Sequence, residues 1–444
     1  MRMNAFLLAI AMWFAVCPAS AEILPLREQA RVIDEILGER FETVLPALMA
    51  RERIDMWILV SREYNEDPVL RTMLPATWLN ARRRTIVVFH HNPLKGTIEK
   101  LAVARYSVGD HITAAWDLEK FPQQWDALTD IVKRLDPARI AINISTDFGH
   151  ADGLVHTEQL ELMRALPERY KARIVSAQNL AVGWLETRTT REMQIYPQLG
   201  RITHAIIDEA FSEAVVTPGI TRTDDVVWWL REKVRSLGLD TWFHPSVSIQ
   251  RNDGDDGSNS DFSKRPADAT IREGDLLHVD FGFTYLRLNT DVQRHAYVLR
   301  AGESTLPASI GKAFTRSNRV QDILTAEFAV GRSGNEILAA ALERTRRERI
   351  KAVIYTHPLG SHGHAAGPTI GMWDQQDKVP GSGDYPMFAN TVYSIELNST
   401  SEIPEWKKEI RIMLEEDGFF DGKAFRYIDG RQREVLLIPR AAVD

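Results

Sequence analysis

Cysteine is almost missing: one, Cys17, in 444 residues. It lies in an amino-terminal stretch that reads as a removable address, with Arg2 ahead of an apolar run from Ala5 to Val16 and the small residues Ala19-Ser20-Ala21 behind it. Cleavage after Ala21 is expected, giving a secreted or periplasmic protein; an uncleaved anchor is the alternative. The mature chain would then hold no thiol, which excludes a cysteine nucleophile, a disulfide framework and a thiolate-held metal. Any metal must be held by His, Asp and Glu. A basic excess is missing too: 54 Lys and Arg stand against 61 Asp and Glu, so a nucleic-acid partner has no electrostatic support. No later run approaches ~18 apolar residues, so no membrane partner is expected once the signal is removed.

What is present is globular: 44% of residues are hydrophobic and 26% charged, and the length exceeds what one core usually organises. The first part, residues 22–182, alternates short β-branched runs with helical patterns. Met56-Trp57-Ile58-Leu59-Val60, Thr85 to Phe89, Ile140 to Ile144 and Arg173 to Val175 read as strands, and Gln123 to Leu135 as a helix. A small α/β domain follows from this. The second part, residues 189–444, opens with Thr189 and Glu192 spaced as a capping box. A helix is expected to run to about Val216, kinked or delayed by Pro197, with a second from Thr223 to Leu237 stopped by Gly238. Residues 252–263 read as a loop. Paired strands then follow, Asp275 to Phe283 with Asp291 to Leu299 and Thr391 to Asn398 with Glu409 to Leu414, so this part is α+β.

Each hairpin presents two carboxylates. Pairing about a centre near Tyr285 and Leu286 sets Asp280 opposite Asp291, with Cβ atoms about 5 Å apart. Around Glu402-Ile403-Pro404 the same logic brings Glu396 towards Glu409. Acidic groups among apolar strand residues repel and resist burial, and two divalent ions would balance four of them. His364, in Gly363-His364-Ala365-Ala366-Gly367, offers a nitrogen on a loop whose glycines allow close approach. The predicted metal set is therefore Asp280, Asp291, His364, Glu396 and Glu409. With 61 acids in the chain, spacing alone carries little; strand context and order carry the signal.

That ordered series resembles the superfamily of methionine aminopeptidase, aminopeptidase P, prolidase and creatinase, closest to its Xaa-Pro peptidases. Val279-Asp280-Phe281-Gly282 is similar to its "DFG"-like strand, with Asp291 eleven positions on. Gly363 to Gly367 is similar to its "GHGIG" loop, Ser394-Ile395-Glu396 to its "TIEPG" segment, and Glu409 through Glu415-Glu416-Asp417-Gly418 to its final "E...VTEDG" segment. Thr217-Pro218-Gly219-Ile220-Thr221 matches a family turn. The resemblance implies a pita-bread catalytic domain, a curved antiparallel sheet with helices, behind a creatinase-type α/β domain. It implies a metallopeptidase holding two divalent ions, manganese first and cobalt, zinc or iron as alternatives, whose bridging hydroxide attacks an Xaa-Pro amide in a small peptide. Glu396 would carry the proton and His364 would join it as a catalytic group. A homodimer is compatible with it. Departures concern helper histidines: Phe262 and Ser263 stand where relatives carry one, and Gly371 stands seven after the loop histidine. His244, His357 and His362 are the stand-ins, with His362 the runner-up ligand. If those losses are real, the alternative is an inert metal- or peptide-binding relative on the same fold.

Overall fold

The computed structural model describes residues 23–92, 95–252 and 267–440. The expected signal peptide, Phe262, Ser263 and most of the expected 252–263 loop lie outside them.

The first part is built on a six-stranded sheet of β1 (Met56–Arg62), β2 (Arg84–Asn92), β3 (Thr97–Ala102), β4 (Thr113–Ala114), β5 (Ile140–Ile142) and β6 (Ile174–Ser176), in the order β4-β3-β2-β1-β5-β6. β1 runs antiparallel to β2 and parallel to β5. These strands are apolar on both faces because helices cover both. Met56, Ile58 and Val60 pack with Leu128 and Val132 of helix Gln124–Leu135, whereas Trp57 and Leu59 pack with Leu45, Leu48 and Met49 of helix Leu45–Glu52. Alternation along one strand thus supplies two cores.

Helix Thr190–Ala210 opens the second part, and its first turn carries the expected reciprocal cap between Thr189 and Glu192, with Pro197 accommodated inside. Helix Thr223–Ser236 ends before Gly238, which has φ +73°. These helices, with Ala308–Thr325 and Gly334–Arg347, pack against antiparallel strands. β7 (Ser246–Gln250), β8 (Leu276–Phe281), β9 (Thr284–Tyr285), β10 (Leu288–Asn289) and β11 (Val292–Val298) come first. β12 (Lys351–Ile354), β13 (His357–Leu359), β14 (Thr391–Ser394), β15 (Leu397–Ile403) and β16 (Lys408–Leu414) follow, then β17 (Asp417–Phe420), β18 (Phe425–Tyr427) and β19 (Leu436–Ile438). Their sheets are ordered β19-β11-β8-β7, β12-β15-β16 and β13-β14-β17-β18.

Two hairpins differ from expectation. The first turns at Leu286 and Arg287, with φ of 53° and 62°, one residue later than predicted. Pairs of positive φ make the turn that matches the twist of a two-residue hairpin, here without the usual Asn or Gly. Asp280 consequently faces Gln293 instead of Asp291. The shift is two residues, so Asp280 and Asp291 keep the same face as diagonal neighbours. In the second hairpin, Glu402 faces Glu409 and Leu397 faces Leu414. The expected strand Thr391 to Asn398 is not continuous. It breaks at Ile395 and Glu396, leaving β14 in one sheet and β15 in another, and the return strand breaks likewise at Glu415 and Glu416 between β16 and β17. The two breaks lie side by side, the Ile395 amide donating to the Glu416 carbonyl at 3.0 Å.

Candidate metal centre

The four segments that meet at those breaks bring acids together in the interior. Asp280 is the next-to-last residue of β8, Asp291 precedes β11, and Glu396 and Glu415 occupy the paired sheet junctions. Asp280, Asp291 and Glu415 have ligand oxygens within 4.8 Å of one another, as do the ligand atoms of His357, Glu396 and Glu415 and those of Asp291, His357 and His364. Of the predicted set, Asp280, Asp291, His364 and Glu396 are therefore brought together.

Glu409 is not. It sits exposed on β16 in an ion pair with Lys351. Glu409 is the second residue of β16, and most of that strand separates it from the break at Glu415, roughly 20 Å. Glu415 takes the place. Its own neighbourhood held the signal, since it follows the buried run Ile412-Met413-Leu414, whereas Glu409 follows Lys407 and Lys408.

His357, read from the sequence only as a stand-in helper, is the second residue that the predicted metal set left out. Its Nε2 lies 3.6 Å from Asp291, 3.9 Å from Glu396 and 3.7 Å from Glu415, and it is buried without a hydrogen-bond partner. Its Nδ1 is 2.9 Å from the Pro358 carbonyl, which can only accept, so Nδ1 carries a proton and Nε2, facing three carboxylates, is the nitrogen placed to ligate. The signal was His357-Pro358-Leu359-Gly360, which keeps a His and a Gly three apart as "GHGIG" does. With His357 in that role, His364 falls seven positions later, where the relatives' second helper histidine stands. Its ring stands edge-on to Trp242 at 5.4 Å and to His357 at 4.8 Å. Enclosure and the neighbouring His357 hold its imidazole below the ordinary range. His362 points elsewhere, its ring tilted against that of His150 with centroids 4.6 Å apart. His244 packs on Trp228.

Burial, then the Glu415 charge, pushes Asp280 and Asp291 well above the usual carboxylate range, and the same two causes act on Glu396. Buried Asp417, whose Oδ1 accepts from the Asp291 amide at 3.2 Å, is raised as well. Such a cluster must either take up protons or hold cations. The donor set, four carboxylates and one or two imidazoles, suits a pair of divalent ions, and the orphaned His357 nitrogen aims at where one would sit.

Residues 196–417 match the model of metallopeptidase family M24. The chain belongs to metallopeptidase family M24. It is a hydrolase of that class, with the pita-bread fold, and the family's enzymes act on peptides with divalent metals. No curated protein matches the chain. Solved structures give the fold: the X-Pro aminopeptidase of Thermotoga maritima MSB8 has 16% identity over 87% of this chain and 99% of its own, with TM-score 0.61. The dipeptidase PepE of Mycobacterium ulcerans has 15% identity over 94% and 100%, TM-score 0.58. The Xaa-Pro dipeptidase of Bacillus anthracis has 14% over 93% and 100%, TM-score 0.56.

Proposed function

We propose that this M24 chain is an exported Xaa-Pro peptidase that works with two divalent ions held by Asp280, Asp291, His357, Glu396 and Glu415. The observation that carries the reading is the unpartnered His357 Nε2 facing three buried carboxylates. When bound, the ions supply polarisation of a carbonyl and acidification of a water molecule. Glu396, beside the water that the ions would acidify, would carry its proton towards the leaving amine. His364, neutral at neutral pH and set at the mouth by Trp242, donates a hydrogen bond to the oxygen on which negative charge develops. The named activities of the similar X-Pro aminopeptidase and Xaa-Pro dipeptidase support proline specificity. The return of a histidine seven positions after His357 removes part of the ground for an inert relative.

The test joins metal analysis to digestion of a library of Xaa-Pro and non-proline peptides, with manganese, cobalt or zinc added to chelator-stripped protein. Two ions per chain and cleavage confined to Xaa-Pro bonds are expected, and Asp280→Ala should lose both. Two ions without turnover would leave a binding protein; turnover of other amides would remove the proline assignment. Amino-terminal sequencing of the protein recovered outside the cell should begin at Glu22.

A further inference from the structure

Behind the cluster lies a buried polar chain that is not itself part of the ligand set. Gln293, 2% exposed, sits opposite Asp280 on β11. Its Nε2 is 2.5 Å from Glu396 Oε1 and 2.7 Å from Glu415 Oε2. In the ionised form that holds cations the two carboxylates only accept, so this end of the side chain is the NH2 group, and its two hydrogens reach two different acids. Its Oε1 is 2.8 Å from Nε2 of His278 on β8. An amide oxygen only accepts, so His278 carries its proton on Nε2, and its Nδ1 faces the Ser248 hydroxyl of β7 at 3.4 Å. The chain therefore runs in one direction: Ser248 to His278, His278 to Gln293, Gln293 to Glu396 and Glu415.

The main chain holds the same pair. The Gln293 amide donates to the Glu415 carbonyl at 3.0 Å, and the Glu415 amide returns to the Gln293 carbonyl at 3.4 Å. Ser394 Oγ, 2.5 Å from Glu415 Oε1, leaves that carboxylate fixed at both oxygens.

We propose that Gln293, oriented by His278, is the positioning residue of the metal centre. It clips Glu396 and Glu415 together across the sheet junction, so the ions meet a set already arranged. Two acids brought this close repel and would rotate apart or protonate; one amide donating to both opposes this and leaves other lone pairs on each for a cation. Rotating the amide by half a turn would set its oxygen against two carboxylates and His278 Nε2–H against an NH2 group. The His278 proton thus selects the orientation in which the clip works. Partners behind metal ligands act this way in general, fixing rotamer and basicity.

The inference rests on the metal reading above, and its test separates the two. Manganese is titrated calorimetrically into chelator-stripped, full-length protein, with melting of the stripped protein as the folding control. Gln293→Met keeps the volume and removes both donors; affinity for manganese should fall by ~10- to 100-fold. His278→Leu should weaken binding in the same direction, and His278→Gln, which restores an N–H towards Gln293 Oε1, should bring it back to within a few-fold of wild type. These two variants keep the test open if Gln293→Met does not fold. A role confined to packing would move the melting of all three variants without this order of affinities. Folded Gln293→Met that binds both ions as tightly as wild type, or His278→Gln no better than His278→Leu, overturns the clip alone. Wild-type protein that takes up no ion overturns the metal reading and the clip with it.

Discussion

Glu409 lies near the start of β16 and Glu415 in the break just after it, and only Glu415 is buried, with a Ser394 hydroxyl and a Gln293 amide aimed at it. Glu409 is half exposed beside Lys351, a pairing worth about 0–1 kcal/mol. Glu409→Gln should leave ion content and turnover unchanged and stability within about 1 kcal/mol. Glu415→Gln should cost at least one ion per chain and lower kcat/KM by more than the ~10–100-fold typical of partners behind a ligand. Equal ion contents in these two variants would sink the assignment. The histidines separate in a different measurement. His357→Ala should lose metal, whereas His364→Ala should keep it and lower kcat by ~10²–10³, the range of one lost hydrogen-bond donor to a developing oxyanion. Metal loss from His364→Ala matching that from His357→Ala would make His364 a ligand in its own right, a role its place within 4.8 Å of the Asp291 and His357 ligand atoms allows.

Elements explain which of these residues could be read from the chain. Strand existence was legible: the apolar run Met56 to Val60 and the two carboxylate-bearing hairpin strands were read as strands from local composition, and each forms one. Register was not, because it is set at turns. Leu286 and Arg287 adopt positive φ without a Gly or Asn to announce it, held there by burial of Leu286 and by the Arg287 guanidinium donating to the Leu74 and Pro75 carbonyls. The strand break at Ile395 and Glu396 is likewise set by a partner, the neighbouring break at Glu415 and Glu416, and residues 391–403 carry no local breaker. Gly282 is the counterexample, a residue whose necessity is geometric. A Cβ there would stand 2.0 Å from the Thr290 carbonyl oxygen and 2.9 Å from Trp242 Nε1, which itself donates to that carbonyl at 2.9 Å. Gly282→Ala must therefore part the strands between Asp280 and Asp291. A loss of roughly 1–3 kcal/mol is expected from such overpacking, with a fall in metal affinity measured by the same manganese titration; normal melting together with normal metal uptake would show that the hairpin yields without moving the acids.

At the scale of the molecule, the α/β part reaches the loop that carries His364. Ala366 and Tyr385 belong to the same apolar cluster as Trp184 and Leu185, and Arg40, donating to the Thr187 carbonyl and to Glu192, ties the helical start of the chain to the first turn of the second part. Glu186 lies at this seam. It is fully buried, accepts from the Tyr385 hydroxyl at 3.0 Å, and its other oxygen has no partner and lies against Gly367. Burial pushes its carboxyl up from 4.5 to about 8, against the opposing pull of the Tyr385 hydrogen bond and of Arg51 and Arg188. The folded state therefore holds a proton there that the unfolded chain releases above its ordinary carboxylate pKa. Stability from this group is complete below that value and drains away as pH rises to about 8, because the unfolded chain gains by releasing a proton that the buried carboxyl retains; above about 8 the loss levels off. Glu186→Gln keeps the shape and the acceptor for Tyr385 while removing the titration. Its melting temperature relative to wild type should rise from about pH 5 to about pH 8 and level off above that, with both proteins metal-loaded so that the acid cluster contributes equally to each. A difference that stays flat across that interval would place a charged Glu186 in the native fold and leave the seam without its proton.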